Sequence, residues 1–270
     1  MLHLVVRWLP RRDMVFVVDS SYAVLELLDQ VTTWPCASVL TRLRLDAALY
    51  DPPPPRAPRQ TGRPRLKGKR RPPLEAGLAD ERTQWTPVRV EQWYGEGPRE
   101  VEVATDTAVW YHAGKPPVTI RWVLIRDPQE CFKPQALLST NLEYTCAQML
   151  AWFVCRWTME VTFEEARAHL GMETQRQWND RAIARTTPAL LSLYSIITLT
   201  AHLLMEKGAT WVRSTAWYRK TRPTFSDAMA LVRRQLWEHL HFSTSQQATD
   251  MIKIPRELFE RFMDAVCYAA

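Results

Sequence analysis

The chain has 270 residues, 46% hydrophobic and 24% charged. That balance excludes a wholly disordered polypeptide and suits one large domain or two small ones. Five cysteines without any C-x-x-C spacing exclude a disulfide framework and a cysteine zinc site, and fit reduced thiols in packed positions. The net charge of +6 is uneven: residues 52–74 hold six Arg and two Lys and no acid, so the rest of the chain carries −2.

In chain order, the opening "MLHLVVRWLPRRD" lacks the basic region and small-residue cleavage site of a secretory signal. Residues 14–18, "MVFVV", end at Asp19 and predict a buried strand. A helix is predicted over 21–30, through Val24, Leu25, Leu27 and Leu28. A second strand follows over 38–45, with Val39, Thr41, Leu43 and Leu45 on one face and Leu40, Arg42 and Arg44 on the other. Asp19, at the C-terminal end of an apolar strand, stands where open α/β sheets place ligands. A cap on the following helix explains the same residue equally well.

The basic stretch comes next and holds eight of the 19 prolines, which predicts an extended, solvated tongue. It reads either as a linker or targeting-like run, or as a contact to the phosphate backbone of nucleic acid. On the second reading Arg63, Arg65, Lys67, Lys69, Arg70 and Arg71 bind DNA without reading bases, Gln60 being the one side chain suited to adenine. "GRPR" at 62–65 resembles the core of an AT-hook. Residues 84–126, rich in Val, Thr, Trp and Tyr, predict strands. After about residue 143 the pattern is helical. No internal repeat is present, which argues against a solenoid. Residues 188–205 carry no formal charge, but their Ser, Thr and His content predicts a buried core helix rather than a membrane span.

One helix is predicted over about 144–170. At about 100° per residue from Phe153, Arg156 falls near −60°, Glu160 near −20°, Arg167 near −40° and Glu164 near +20°. These charges share a face among Leu150, Trp152, Trp157, Met159 and Phe163. An Arg–Glu surface pair at i,i+4 is the alternative.

The segment "FVCRWTMEVTFEEAR" resembles the Tyr-Arg-Glu-Lys signature of DDE transposases from bacterial insertion sequences. "VVDSSYA", "RLRLDAALYD", "AHLGMETQRQW" and "WYRKTRPTFSDA" are similar to the same family, in the same order, over about residues 2–240. The resemblance implies an α/β fold with a ribonuclease H-like core interrupted by a β-rich insertion, and a helical C-terminal region. In these terms residues 1–50 are a partial core, 51–118 the tongue and insertion, 119–206 the remaining core and 207–270 the helical region. Asp19 matches the family's second aspartate, Glu160 its glutamate, and Arg156 its signature arginine. Phe153 replaces the usual Tyr and Arg167 the usual Lys. Glu164 is a reserve carboxylate.

The family's activity is DNA cleavage and strand transfer at element ends, with two Mg²⁺ or Mn²⁺ ions held by three carboxylates. Asp19 and Glu160 would be catalytic and metal-binding; Arg156 and Arg167 would join the tongue cations on DNA. The implied partners are double-stranded DNA ends and target, with a homodimer and no membrane, in a bacterial cytoplasm at the nucleoid. The family's first aspartate lies on a strand well upstream of the second. Only 18 residues precede Asp19, and Asp13 sits in the turn before that strand, so the chain corresponds to the family's C-terminal part. That implies an open sheet edge beside Asp19 and no cleavage by this chain alone. The alternative is a catalytically inactive, DNA-binding transposase remnant.

Overall fold

A computed structural model describes residues 1–55, 62–174, 179–209, 212, 220, 222–244 and 255–268. Part of the tongue (56–61, with Gln60) and most of the "WYRKT" stretch lie outside the described residues. The chain divides into two compact units, Met1–Thr158 and Met159–Ala270.

The first unit is built on one seven-stranded sheet. In chain order its elements are α1 (Leu2–Trp8), β1 (Met14–Val17), α2 (Leu25–Thr32), β2 (Ala37–Leu43), β3 (Leu49–Tyr50), α3 (Leu74–Ala79), β4 (Thr86–Val90), β5 (Arg99–Trp110), β6 (Val118–Arg126), β7 (Gln135–Ser139) and α4 (Cys146–Cys155). The strand order is β1-β2-β7-β6-β5-β3, with β4 also pairing β5. β1 and β2 run parallel, Phe16 beside Val39, and are joined by the α2 crossover. All other pairs are antiparallel. The β-rich block expected to interrupt the core therefore adds strands to one continuous sheet.

Both faces of this sheet are buried, and period-2 alternation sorts the side chains between them. On one face Leu25, Leu28 and Val31 of α2 and Leu74 of α3 pack with Val39, Leu43, Ile120, Leu124 and Leu138. On the other, Met149, Leu150, Phe153 and Val154 of α4 pack with Leu40, Val123, Ile125 and Leu137. The expected faces of β2 are the observed ones. α4 begins with a capping box: Thr145 Oγ1 accepts from the Gln148 N–H, and the Gln148 side chain accepts from the Thr145 N–H.

The expected helix over 21–30 is a 3₁₀ turn at Ser20–Tyr22 followed by α2. The long helix at 144–170 is also interrupted: α4 ends at Cys155, and α5 (Trp157–Leu170) begins beyond Arg156. Arg156 between them keeps helical dihedrals, φ −55° and ψ −32°, and its N–H donates to the Trp152 carbonyl at 3.2 Å.

The second unit is helical. α6 (Asp180–Glu206) packs along α7 (Phe225–Thr244), where Tyr194 stacks on Phe225 with ring centroids 4.3 Å apart. α7 in turn meets α8 (Arg256–Cys267) around Ala230, Met263 and Cys267. Asp227 is buried and accepts from Thr224 N–H, Thr224 Oγ1 and Lys220 Nζ on one oxygen, and from Tyr268 on the other. The expectation of a buried core helix at 188–205 is not met. Ala201 is the one buried residue of α6 among those described. α6 is long and apolar enough to cross a membrane by length and composition. The reason for its exposure is that, among the described residues, α7 covers only one side of it.

Candidate functional site

Asp19 lies one residue beyond the end of β1, separated from it by Val18, and immediately precedes the 3₁₀ turn. The backbone here is fixed from β2: Thr41, fully buried, donates its hydroxyl to the Asp19 carbonyl at 2.9 Å. The Asp19 side chain is exposed and makes no capping hydrogen bond on the turn; Ser21 Oγ donates to it at 3.5 Å. α2 is capped at Val24, not by Asp19. The Ser20 N–H first, then the Ser21 N–H and the positive charge of Arg156, hold the Asp19 carboxyl below the ordinary aspartate range. It is an anion, free at its outer face, with a cation from the end of α4 in its neighbourhood.

Beside it lies a cavity of about 340 Å³ lined by Ser20, Arg42, Arg44, Trp110, Pro134 and Ala136. Arg44 is paired with Asp46 at 2.6 Å, whereas Arg42 is exposed with no acidic partner among the described residues. Strand alternation alone places both arginines on one face without giving them a role. Their signal lies in position: alternating arginines on the strand next to the one that ends in Asp19.

The basic tongue is only partly the solvated loop expected. Residues 67–71 return antiparallel along 49–51. Gly68 N–H donates to the Asp51 carbonyl, Asp51 N–H to Lys69, and Arg71 N–H to Leu49, each at 2.8 Å. A Cβ at Gly68 would meet the Pro52 carbonyl oxygen at 2.6 Å, so glycine is required for this close approach. Lys67 Nζ lies 3.7 Å from the Tyr50 ring centroid and 4.1 Å from that of Tyr111. Arg71 is paired with Asp51 at 2.7 Å and Asp106 at 2.8 Å. These two cations pin the ribbon to the sheet. Arg63, Arg65, Lys69 and Arg70 are exposed and have no acidic partner among the described residues.

Arg156, at the end of α4, lies 5.9 Å from the ring of Phe153, which is itself buried in the α4 core. Glu160 and Glu164 are exposed on α5 in the second unit. Arg167, expected on DNA, is engaged by Glu173 through two bonds of 2.6 and 3.1 Å. Of the apolar residues expected around Glu160, Met159 is exposed, Trp157 is partly exposed with its ring edge-on to Tyr94 at 5.9 Å, and Trp152 and Phe163 are half-buried.

Residues 1–116 match the family model described as DDE superfamily endonuclease. The first part of the chain is thus similar to DDE-type endonucleases and transposases, a class that acts on DNA. The matched span contains Asp19, Arg42, Arg44 and the basic ribbon; it stops before Arg156, Glu160 and Arg167. No match was found among curated proteins. Enzymes of this class use divalent metal ions. Among the described residues no three His, Cys, Asp or Glu side chains converge as a metal site would require. The described residues do not by themselves fit a two-metal centre.

Proposed function

We propose that the chain is a DDE transposase polypeptide of the insertion-sequence type, with a ribonuclease H-like core, acting on the DNA ends and target of its element. Asp19 and Glu160 are its catalytic carboxylates. Arg63, Arg65, Lys69 and Arg70 hold the duplex by its phosphates, and Arg42 adds a cation, unpaired among the described residues, in the cavity beside the turn at Ser20. The observation that carries the reading is the exposed carboxylate of Asp19 past the end of β1, its backbone fixed by Thr41, inside the segment similar to DDE endonucleases. The place of work is the bacterial nucleoid. Because such chemistry asks for three carboxylates and this reading supplies two, the 270-residue chain binds DNA but does not nick it alone.

The experiment is duplex binding across a salt series, with a nicking assay in Mg²⁺ or Mn²⁺ on the same samples. Replacing Arg63, Arg65, Lys69 and Arg70 by Ala should flatten the log–log salt slope by roughly 0.9 for each phosphate left unneutralised, alike for all sequences. An unchanged slope refutes the grip. Nicking that Asp19→Ala and Glu160→Ala both abolish overturns the inactivity of this chain while supporting the two carboxylates. Nicking indifferent to both removes them from the site.

A further inference from the structure

α6 is 27 residues long, about 40 Å of helix. Its outer side carries Ile196 at 61% exposure, Leu199 at 60% and Leu203 at 49%. These belong to a longer exposed row: Arg185, Ala189, Ser192, Ile196, Leu199, Leu203 and Glu206. The spacing alternates four and three, which is the seam of a two-stranded helical pair. The row is also complementary to itself when reversed. Run antiparallel, it sets Arg185 against Glu206, Ala189 against Leu203, Ser192 against Leu199, and Ile196 against its own copy. Cation meets anion at both ends, and small residues meet large ones between. The one hydroxyl on the seam is already satisfied, since Ser192 Oγ donates to the Pro188 carbonyl at 2.8 Å. Glu206 is bonded by His202 at 3.3 Å and remains largely exposed, open to a further cation.

We propose that this face of α6 is a homodimer interface, in which two copies of the chain pair antiparallel through the row from Arg185 to Glu206. The pairing is independent of the DNA reading above and stands or falls separately. A parallel pair would place Arg185 beside Arg185 and Glu206 beside Glu206, so charge selects the antiparallel register.

The test is sedimentation of the full chain with its variants. The wild-type chain sediments as a dimer, and Ile196→Glu as a monomer with unchanged helical content. Arg185→Glu weakens the dimer about tenfold by turning two attractive pairs repulsive. Adding Glu206→Arg to that variant restores it, which a merely misfolded protein would not do. Oxidative crosslinking fixes the register in a Cys131→Ser, Cys155→Ser background. Ile196→Cys crosslinks alone; Ala189→Cys and Leu203→Cys do so only when combined. A monomeric wild-type chain overturns the proposal, as does crosslinking of Leu203→Cys alone. So does flotation of a monomeric chain with phosphatidylcholine vesicles, which would assign the face to a bilayer.

Discussion

The two units solve the problem of apolar surface differently. In the first, one sheet is covered on both faces, and Leu28, Leu40, Leu124, Leu137 and Leu138 are fully or almost fully buried. In the second, among the described residues, the cluster between α7 and α8 has Ala230, Met263 and Cys267 at its centre, while α6 presents leucines and isoleucines outward. A layered sheet completes its own core within one chain. A long helix packed along one side leaves its remaining stripes for another surface. The same residue type is therefore structural in one unit and adhesive in the other.

The contrast can be broken by substitution. Leu138→Ala, in the centre of the sheet, should cost about 2–5 kcal/mol in denaturant unfolding. An effect below about 1 kcal/mol would show the first unit's core to be loose. Asp127→Asn comes next. Asp127, 6% exposed, turns the β6–β7 connection by accepting from the Gln129 and Cys131 N–H groups and pairs with Arg99 at 2.6 Å. Burial alone would raise its carboxyl, but those N–H groups and Arg99 outweigh it and hold the group below the ordinary aspartate range. A depressed carboxyl stabilises the fold above its unfolded value, near 3.9, and that contribution is lost as pH falls through the folded value. The Asn variant should lose about 1–3 kcal/mol at neutral pH and show a flatter acid limb. An acid limb unchanged from wild type would dismiss Asp127 as its source.

Gly68→Ala probes the ribbon and should cost about 1–2 kcal/mol locally, since the added methyl drives the strand off the Asp51 and Pro52 carbonyls. Hydrogen exchange reads it directly: the Asp51 and Arg71 amides should lose protection while those of β6 keep theirs. Smallest is Leu203→Ala on α6, within about 0.5 kcal/mol at protein concentrations too low for pairing. A cost like that of Leu138→Ala would place α6 in a core after all.

What the sequence disclosed follows from how local each signal is. The alternation of Val39 and Leu43 against Leu40 named both faces of β2, because pleating alone decides it. Asp19 at a strand end was legible from five apolar residues and one acid. β7 was not expected: "QALLS" is a short apolar run buried on both faces, and periodicity cannot separate such a run from helix. The interruption at Arg156 has no proline or glycine to announce it. The anchoring of Lys67 and Arg71 depends on Tyr50, Tyr111, Asp51 and Asp106, brought in by sheet pairing from up to 44 positions away. The exposure of α6 was misjudged because composition says that a helix is apolar, not what covers it.

The long β5–β6 ladder also bears on how the first unit reaches its fold. Nine consecutive residue pairs, from Glu102 with Arg126 to Trp110 with Val118, close across a single short connection containing Gly114 at φ +77°. Bringing these strands together spends little loop-closure entropy, whereas β1 joins β2 only through a crossover and lies at the border of the sheet. The hairpin is the natural nucleus, with β7 added next, β2 after it and β1 last. A substitution at Ile120 should then slow refolding nearly as much as it destabilises the protein, while one at Val15 should act mainly on unfolding. The Asp19 end of the sheet would be the last part of the unit to take shape.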